Sequence, residues 1–152
     1  MTKQLFIENE IVIDAPISAV WDALTQARYT KHYMYGTETV SDWQVGNPLL
    51  WVGHHEGNDV TYVKGIIEEL DPLKKLVYSV FDPNNTEIED TPENYLHVTY
   101  QLTRVDGGTL LQVKQGDYST VAQGQKRFED SYNNGTGWQP ILEQIKTMLE
   151  TS

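Results

Sequence analysis

The strongest hydrophobic pattern in the chain lies near its C-terminus, where residues 138–150 repeat apolar side chains every three or four positions. This spacing is typical of a helix with one apolar face. The face consists of Trp138, Ile141, Leu142, Ile145, Met148 and Leu149. Thr136 and Gln139 have the spacing of a capping box, and Pro140 falls in the first turn, where helical N–H groups have no partner. The pattern predicts a C-terminal helix that covers a broad apolar surface.

A weaker apolar pattern precedes this helix. Phe128 and Tyr132 lie four positions apart on one helical face, and the polar run 133–137 with its two glycines follows them. Because asparagine and glycine favour breaks in a helix, residues 120–150 are predicted to form either two helices or one kinked helix.

The N-terminal residues predict a strand followed by one or two short helices. Residues 5–13 alternate apolar and polar side chains, as a half-buried strand does. Asp14 and Pro16 mark a helix start, and the apolar positions that follow at helical spacing end near Thr25. A second short helix, with Thr25 as its cap, is predicted over residues 26–33.

Residues 37–116 predict a series of antiparallel strands, because short alternating runs are separated by turn signals. The predicted strands cover residues 37–41, 49–55, 60–70, 75–81, 95–103 and 109–115, with a long acidic loop over 82–93. Serial hairpins build a sheet that can bury one face under a helix. The predicted fold class is α+β, with an antiparallel sheet of about six or seven strands covered by the C-terminal helix.

Side-chain alternation indicates which face of each strand lies inside. In strand 60–70, Lys64 and Glu68 share one face, so the other face is predicted to be buried. The inner positions predicted in this way are Val63, Gly65, Ile67, Glu69, Leu76, Tyr78, Val80, Leu96, Val98, Tyr100, Leu102, Leu111, Val113 and Gln115. Strand 49–55 is apolar on both faces, so alternation does not decide which of its faces is inside.

The composition narrows the class of protein. The length of 152 residues fits a single domain over residues 1–152. The net charge of −11 argues against nucleic acid as a partner, because phosphates would be repelled. There is no cysteine for a disulfide or a thiolate metal site, and no apolar leader or membrane-length run. We therefore expect a cytoplasmic protein that does not insert into membranes.

No motif predicts catalysis, a metal or a cofactor. The four histidines lack the spacings of metal ligands, and adjacent His54 and His55 point to opposite faces of a strand. The chain has neither a Gly-x-Ser-x-Gly nucleophile turn nor a glycine-rich phosphate loop. We therefore expect no catalytic residues, no metal ligands and no cofactor.

Aromatic side chains with polar tips are the most suggestive chemical feature. Several of them fall on inner faces of the predicted sheet or on the C-terminal helices, together with a few polar groups. Small-molecule sites usually combine apolar rings with a few hydrogen-bonding groups. The candidate ligand-binding residues are Tyr33, Trp51, His55, Ile67, Tyr78, Tyr100, Val113, Gln115, Phe128, Tyr132 and Trp138. The same rings would also fill a closed core, so a pocket and a filled core remain alternatives.

Three segments resemble the activator-of-heat-shock-protein-ATPase-like family of the START-related (SRPBCC, birch-pollen-allergen-like) helix-grip superfamily. Segment 13–25 has the family's Ala-Pro-x-x-x-Val-Trp-x-Ala-Leu pattern, and segment 65–78 resembles its Gly-x-Val-x-Glu-Leu-x-Pro-x-x-x-Leu-x-Tyr hairpin. Segment 137–149 resembles its closing Gly-Trp-x-x-x-Leu-x-x-Leu helix. Residues 31–35 depart from the pattern, because many relatives have a tryptophan-containing run there.

This resemblance implies a helix-grip fold, in which a curved sheet holds a long C-terminal helix, often around an apolar cavity. It leaves the function open among three hypotheses. The first is non-catalytic binding of a small, largely apolar molecule between sheet and helix. The second is a protein-interaction module, with a chaperone as the partner that the family suggests and the acidic residues 82–93 as the surface. The third is an enzyme acting on a hydrophobic substrate.

Overall fold

One curved antiparallel sheet of seven strands forms the framework of the protein. The computed structural model describes residues 4–132 and 136–151, and of Tyr132 the backbone only. The strands are β1 (Ile7–Ile13), β2 (Glu38–Val40), β3 (Pro48–His55), β4 (Asn58–Asp71), β5 (Lys75–Val80), β6 (Leu96–Val105) and β7 (Gly108–Gly116). Their order across the sheet is β1-β7-β6-β5-β4-β3-β2. The predicted α+β fold is confirmed.

Four α-helices cover the concave face and one end of this sheet. They are α1 (Ile17–Thr25), α2 (Ala27–Tyr33), α3 (Gly124–Tyr132) and α4 (Gln139–Glu150). The chain therefore forms two C-terminal helices, and residues 133–135, which the sequence pattern assigns to the break, lie outside the described residues. None of the described helices is long and apolar enough to cross a membrane.

The predicted inner face of the sheet is the face that packs against the helices. Leu142 and Ile145 of α4 are fully buried, as are Ile67 of β4 and Leu111 of β7. Complete burial of one such aliphatic side chain stabilises a fold by about 1.5–3 kcal/mol. Helix α4 therefore contributes most of its stabilisation through the apolar stripe that the sequence shows.

The sequence predictions for Glu69 and Thr25 are wrong. Glu69 does not face inward: its side chain is 59% exposed and lies 3.5 Å from the ammonium of Lys75. A β-bulge between Ile67 and Glu69 shifts the alternation of β4 at this point. The hydroxyl of Thr25 donates to the carbonyl of Trp21 one turn earlier, so it does not cap α2.

The start of α4 is held by β1 rather than by the predicted capping box. The helix begins at Gln139, whose N–H donates to the backbone carbonyl of Thr136 at 2.8 Å. The side-chain oxygen of Asn9 accepts the N–H of Trp138 at 2.9 Å. A Cβ on Gly137 would lie 2.7 Å from that oxygen and 2.7 Å from a methyl carbon of Ile7, and a φ of +48° favours glycine.

The acidic segment 82–93 is tied to the outer face of the sheet. Asp90 accepts hydrogen bonds from the ammonium of Lys64 and, at 2.6 Å, from the hydroxyl of Tyr95. The side-chain amide of Asn84 donates to the carbonyl of Thr61 at 2.9 Å. These contacts fix a loop that sequence analysis treats only as polar and acidic.

Strands β4 and β5 approach each other most closely at Gly65. A Cβ placed there would lie 1.6 Å from the carbonyl oxygen of Ser79, which no side chain can tolerate without moving the backbone. The hydroxyl of Ser79 accepts the N–H of Ile66 at 2.9 Å, so the two strands stay joined here through a side chain. Gly65 thus allows the close approach of β4 and β5 at this point.

We predict that Gly65→Ala lowers the free energy of unfolding by about 2 kcal/mol, because the added methyl group forces the strands apart. Ile66→Ala is the matched control, since this neighbouring side chain is 46% exposed on the outer face. Urea unfolding of both variants measures the difference. Equal losses in the two variants would contradict the close approach at Gly65.

We predict that the stabilising effect of Asp90 disappears in acid. Hydrogen bonds from Lys64 and then from Tyr95 hold the pKa of Asp90 below its ordinary value of 3.8. A carboxyl group whose pKa is lower in the folded state than in the unfolded state stabilises the fold at neutral pH. This stabilisation is lost as the pH falls from the ordinary pKa through the lower pKa of the folded state.

Urea unfolding from neutral pH to about pH 3 measures this effect as the stability difference between wild type and Asp90→Asn. The difference should shrink toward the acid end of the series. In a Lys64→Met background the same substitution should have a smaller effect at neutral pH. A difference that is constant across the series would refute the prediction.

Candidate functional site

A cavity of about 520 Å³ opens between the concave face of the sheet and the start of α4. It is partly open to solvent, and strands β3 to β7, the chain after α2 and the N-terminal end of α4 all contribute to its walls. The lining residues are Met34, Tyr35, Thr37, Trp51, Tyr62, Val63, Tyr78, Val80, Val98, Gln115 and Trp138. Its volume and its mostly apolar lining are typical of a small-molecule site.

Four aromatic rings make a continuous series along one side of this cavity. Trp51 lies 6.2 Å from Tyr78, Tyr78 lies 5.7 Å from Tyr100, and Tyr100 meets Trp138 edge-on at 5.9 Å between ring centroids. These distances fall within the range in which aromatic pairs attract each other. The rings therefore hold one another in place.

Trp138 is fixed from two sides. Its indole N–H donates to the side-chain oxygen of Gln115 on β7 at 2.8 Å, and its backbone N–H is held by Asn9 on β1. The ring stands at 90° to Tyr100. Because helix α4 starts directly after Trp138, the seating of this one side chain sets both the wall of the cavity and the position of the helix.

A β-bulge brings Tyr62 into the cavity. Trp51 pairs with Val63 while Val52 pairs with Thr61, so Tyr62 is the extra residue on β4. Its ring lies against Gly53, where a Cβ would come within 2.7 Å of the ring. Strict alternation along β4 places Tyr62 outside, which is why sequence analysis misses it.

Four of the residues proposed from the sequence line the cavity: Trp51, Tyr78, Gln115 and Trp138. Four others, Tyr33, Ile67, Tyr100 and Val113, are at most 2% exposed and belong to the core behind it. The chain thus has both a pocket and, directly behind it, a filled core. Tyr33 donates its hydroxyl hydrogen to the carbonyl of Ala23 at 2.6 Å, a structural bond between two helices.

The remaining three proposed residues are not among the described side chains that line the cavity. His55 is exposed in the last pair of the β3–β4 hairpin, beyond the end of the cavity. Phe128 packs edge-on against Tyr118 at 5.6 Å in a second, smaller cluster. The side chain of Tyr132 lies outside the described residues.

The other lining residues were not among the binding residues proposed from the sequence. Met34, Tyr35 and Thr37 follow the end of α2, and their position depends on how that helix ends. The backbone turns at Tyr35 with a φ of +54°, and its side chain is 85% exposed at the cavity rim. Val63, Val80 and Val98 were predicted as inner positions but not as binding residues.

The cavity is electrically neutral. None of the described residues that line it carries a charged side chain. Burial raises the pKa of the Tyr33 and Tyr78 hydroxyls well above its ordinary value, with a further contribution from Tyr100, and burial also raises the pKa of Tyr100. All three hydroxyls therefore stay protonated and act as neutral hydrogen-bonding groups at physiological pH.

A second depression lies on the outer face of the sheet. It measures about 480 Å³ and is bounded by the Lys64–Asp90 ion pair on one side. The Nδ1 atom of His97 lies 2.5 Å from a carboxylate oxygen of Glu68 within it, and Leu50 and Ile66 supply apolar surface. In the part of the chain that the structure describes, no group of three or more histidine, aspartate or glutamate side chains could hold a metal ion.

Solved structures share this architecture. A solution structure of a protein from Cytophaga hutchinsonii is 36% identical to the chain, with a TM-score of 0.75, and the match covers 99% of this chain and 97% of that one. An Aha1 dimer from Colwellia psychrerythraea is 18% identical, with a TM-score of 0.68 and 96% of each chain covered. A protein from Nitrosomonas europaea is 16% identical, with a TM-score of 0.71, over 99% of this chain and 97% of that one.

No curated protein matches the chain significantly. The family model described as "Activator of Hsp90 ATPase homolog 1-like protein" matches residues 14–150. This range includes all four helices and six of the seven strands, and it contains every described residue that lines the cavity. The chain therefore belongs to the family of Activator of Hsp90 ATPase homolog 1-like proteins.

Proposed function

We propose that this protein binds a small, largely apolar molecule, without catalysis, in the cavity between the concave face of the sheet and the start of α4. Family membership supports the broader class of START-related ligand-binding or co-chaperone-like modules. The observation that carries the narrower proposal is the cavity itself: about 520 Å³ with aromatic and aliphatic walls and no charged lining residue among those described.

The rigidity of the walls favours binding over simple collapse of the cavity. Tyr78 and Trp138 are held by hydrogen bonds to Tyr100 and Gln115, and Trp51 packs against Tyr78. A preformed site loses little side-chain entropy when it takes up a ligand. Burying apolar ligand surface against these rings would contribute about 25 cal/mol per Å² before the costs of association are subtracted.

Binding without chemistry fits the groups that line the cavity. The described lining residues include no histidine, carboxylate or lysine that could exchange a proton near neutral pH. The tyrosines and Gln115 can hold and orient a molecule but offer no acid–base pair. The enzyme hypothesis consequently has the least support of the three.

We predict that filling the cavity abolishes binding of an apolar probe. Val63→Phe adds a ring at a lining position and should weaken binding of the neutral fluorescent probe N-phenyl-1-naphthylamine by about tenfold or more, because ring and probe compete for the same space. Val12→Phe is the control, since Val12 is 47% exposed on β1 and does not line the cavity.

Probe fluorescence titrations measure both dissociation constants, and urea unfolding checks that each variant is folded. The control should bind the probe as the wild type does. Equal binding by all three proteins would place the probe elsewhere, and no binding to the wild type would reject an apolar binding cavity.

A second candidate function is a protein-interaction, co-chaperone-like module. It is supported by the family description and by the way in which acidic residues 82–93 are fixed on the outer face, next to an apolar depression. A held loop presents its charges without a large ordering cost on association. This surface lies on the opposite side of the sheet from the cavity, so the two functions do not exclude each other.

We predict for this candidate that Glu87→Lys with Glu89→Lys disrupts a chaperone interaction. If the chain stimulates the ATPase of an Hsp90 chaperone, about tenfold more of the double variant should be needed for half-maximal stimulation. The two introduced lysines would repel a partner surface that the glutamates attract. Glu8→Lys with Glu10→Lys, on exposed positions of β1, changes the net charge equally. No stimulation, or equal loss in both variants, would reject this surface.

A further inference from the structure

The hydroxyls of Tyr78 and Tyr100 leave one hydrogen without a partner. They lie 3.0 Å apart and, among the described residues, form a hydrogen bond only with each other. Two neutral hydroxyls carry two hydrogens, and a single bond between them uses only one. Burial holds the pKa of both groups high, so neither hydrogen is lost to ionisation at physiological pH.

Either hydroxyl can donate in this bond, but of the two residues only Tyr78 is among those that line the cavity. Both side chains are nearly fully buried, with Tyr78 2% and Tyr100 1% exposed. If Tyr78 donated to Tyr100, the hydrogen of Tyr100 would be left away from the cavity lining, with no acceptor among the described residues. A buried donor without an acceptor is strongly disfavoured. If Tyr100 donates instead, the free hydrogen sits on Tyr78, which lines the cavity, and a bound molecule can accept it.

Gln115 presents a second unused donor to the same cavity. The indole N–H of Trp138 can only donate, so it fixes the side-chain oxygen of Gln115 at 2.8 Å and turns the amide nitrogen the other way. No described residue accepts a hydrogen bond from that nitrogen. Tyr78 and Gln115, which both line the cavity, can therefore each offer a hydrogen to a bound molecule.

The cavity also discriminates by charge. Hydrogen-bond donors repel a cation, and no described carboxylate lines the cavity to compensate for that repulsion. An anion would enter without a lysine or arginine partner, into a protein whose net charge is −11. Burying an unpaired charge is far more costly than burying a neutral polar group.

We propose that the molecule bound here is uncharged and carries an acceptor oxygen, such as a ketone or ester carbonyl, that receives the hydroxyl hydrogen of Tyr78. This inference rests on the proposed ligand-binding function and narrows its ligand class. Carboxylate forms of the same molecules are excluded, and purely hydrocarbon forms lose the hydrogen bond. Tyr78 is thereby a specificity-determining residue, whereas Tyr100 orients it from behind.

Three planar probes of nearly equal shape separate these effects: 2-acetylnaphthalene, 2-isopropenylnaphthalene and 2-naphthoate. The first carries a carbonyl, the second replaces its oxygen by a CH₂ group, and the third replaces its methyl group by a charged oxygen. Dissociation constants for each are measured by quenching of tryptophan fluorescence, with wild type, Tyr78→Phe and Tyr100→Phe. Both variants lose the same tyrosine–tyrosine bond, but only Tyr78→Phe removes a hydroxyl from a residue that lines the cavity.

We expect the affinity ratio of the ketone to the alkene to fall about three- to tenfold in Tyr78→Phe, as for loss of one neutral hydrogen bond. The ratio should stay at its wild-type value in Tyr100→Phe, and the wild type should bind 2-naphthoate at least about tenfold more weakly than the ketone. Comparing ratios removes the difference in hydration between the probes.

Each alternative outcome overturns a distinct claim. Equal ketone-to-alkene ratios in wild type and Tyr78→Phe would refute the role of Tyr78 and leave the binding function intact. Binding of 2-naphthoate as tight as that of the ketone would refute selection against charge. Failure of the wild type to bind any of the three would reject the proposed binding function itself.

Discussion

The structure depends most on the seating of Trp138 against the concave face of the sheet. Its ring packs edge-on against Tyr100, its indole N–H is bound to Gln115, and its backbone N–H is bound to Asn9. Helix α4 begins at the next residue, so these contacts fix where the apolar stripe of the helix meets the sheet. They also make Trp138 a wall of the cavity. One side chain thus connects the stability of the fold to the shape of the site.

Glycines allow close approaches of the backbone in this fold. Gly65 lets β4 lie against the Ser79 carbonyl, and Gly137 lets the chain pass Ile7 and Asn9 before turning into α4. The bulge at Tyr62 then turns an additional ring toward the concave side. At each of these positions the feature depends on the backbone and not on a buried side chain. The same strands can therefore contribute some side chains to the apolar core and others to the cavity.

The sequence was sufficient for the fold and for part of the site. Alternation in β5, β6 and β7 identified inner residues correctly because those strands pair without bulges between residues 75 and 80 and along β7. It failed at Glu69, where a bulge in β4 shifts the alternation by one residue. It also failed to separate Tyr78, which faces the cavity, from Tyr100 one strand away. Both are inward-facing tyrosines that are at most 2% exposed, and only Tyr78 is among the residues that line the cavity.

The two faces of the sheet have different chemistry, and this difference separates the candidate functions. The concave side offers neutral rings and unused hydrogen-bond donors, which suit a small uncharged molecule. The outer side carries the Lys64–Asp90 and Glu68–His97 pairs beside an acidic loop, which suit a protein surface. Strand β5 joins them, since Tyr78 faces the cavity and Ser79, the next residue, lines the outer depression.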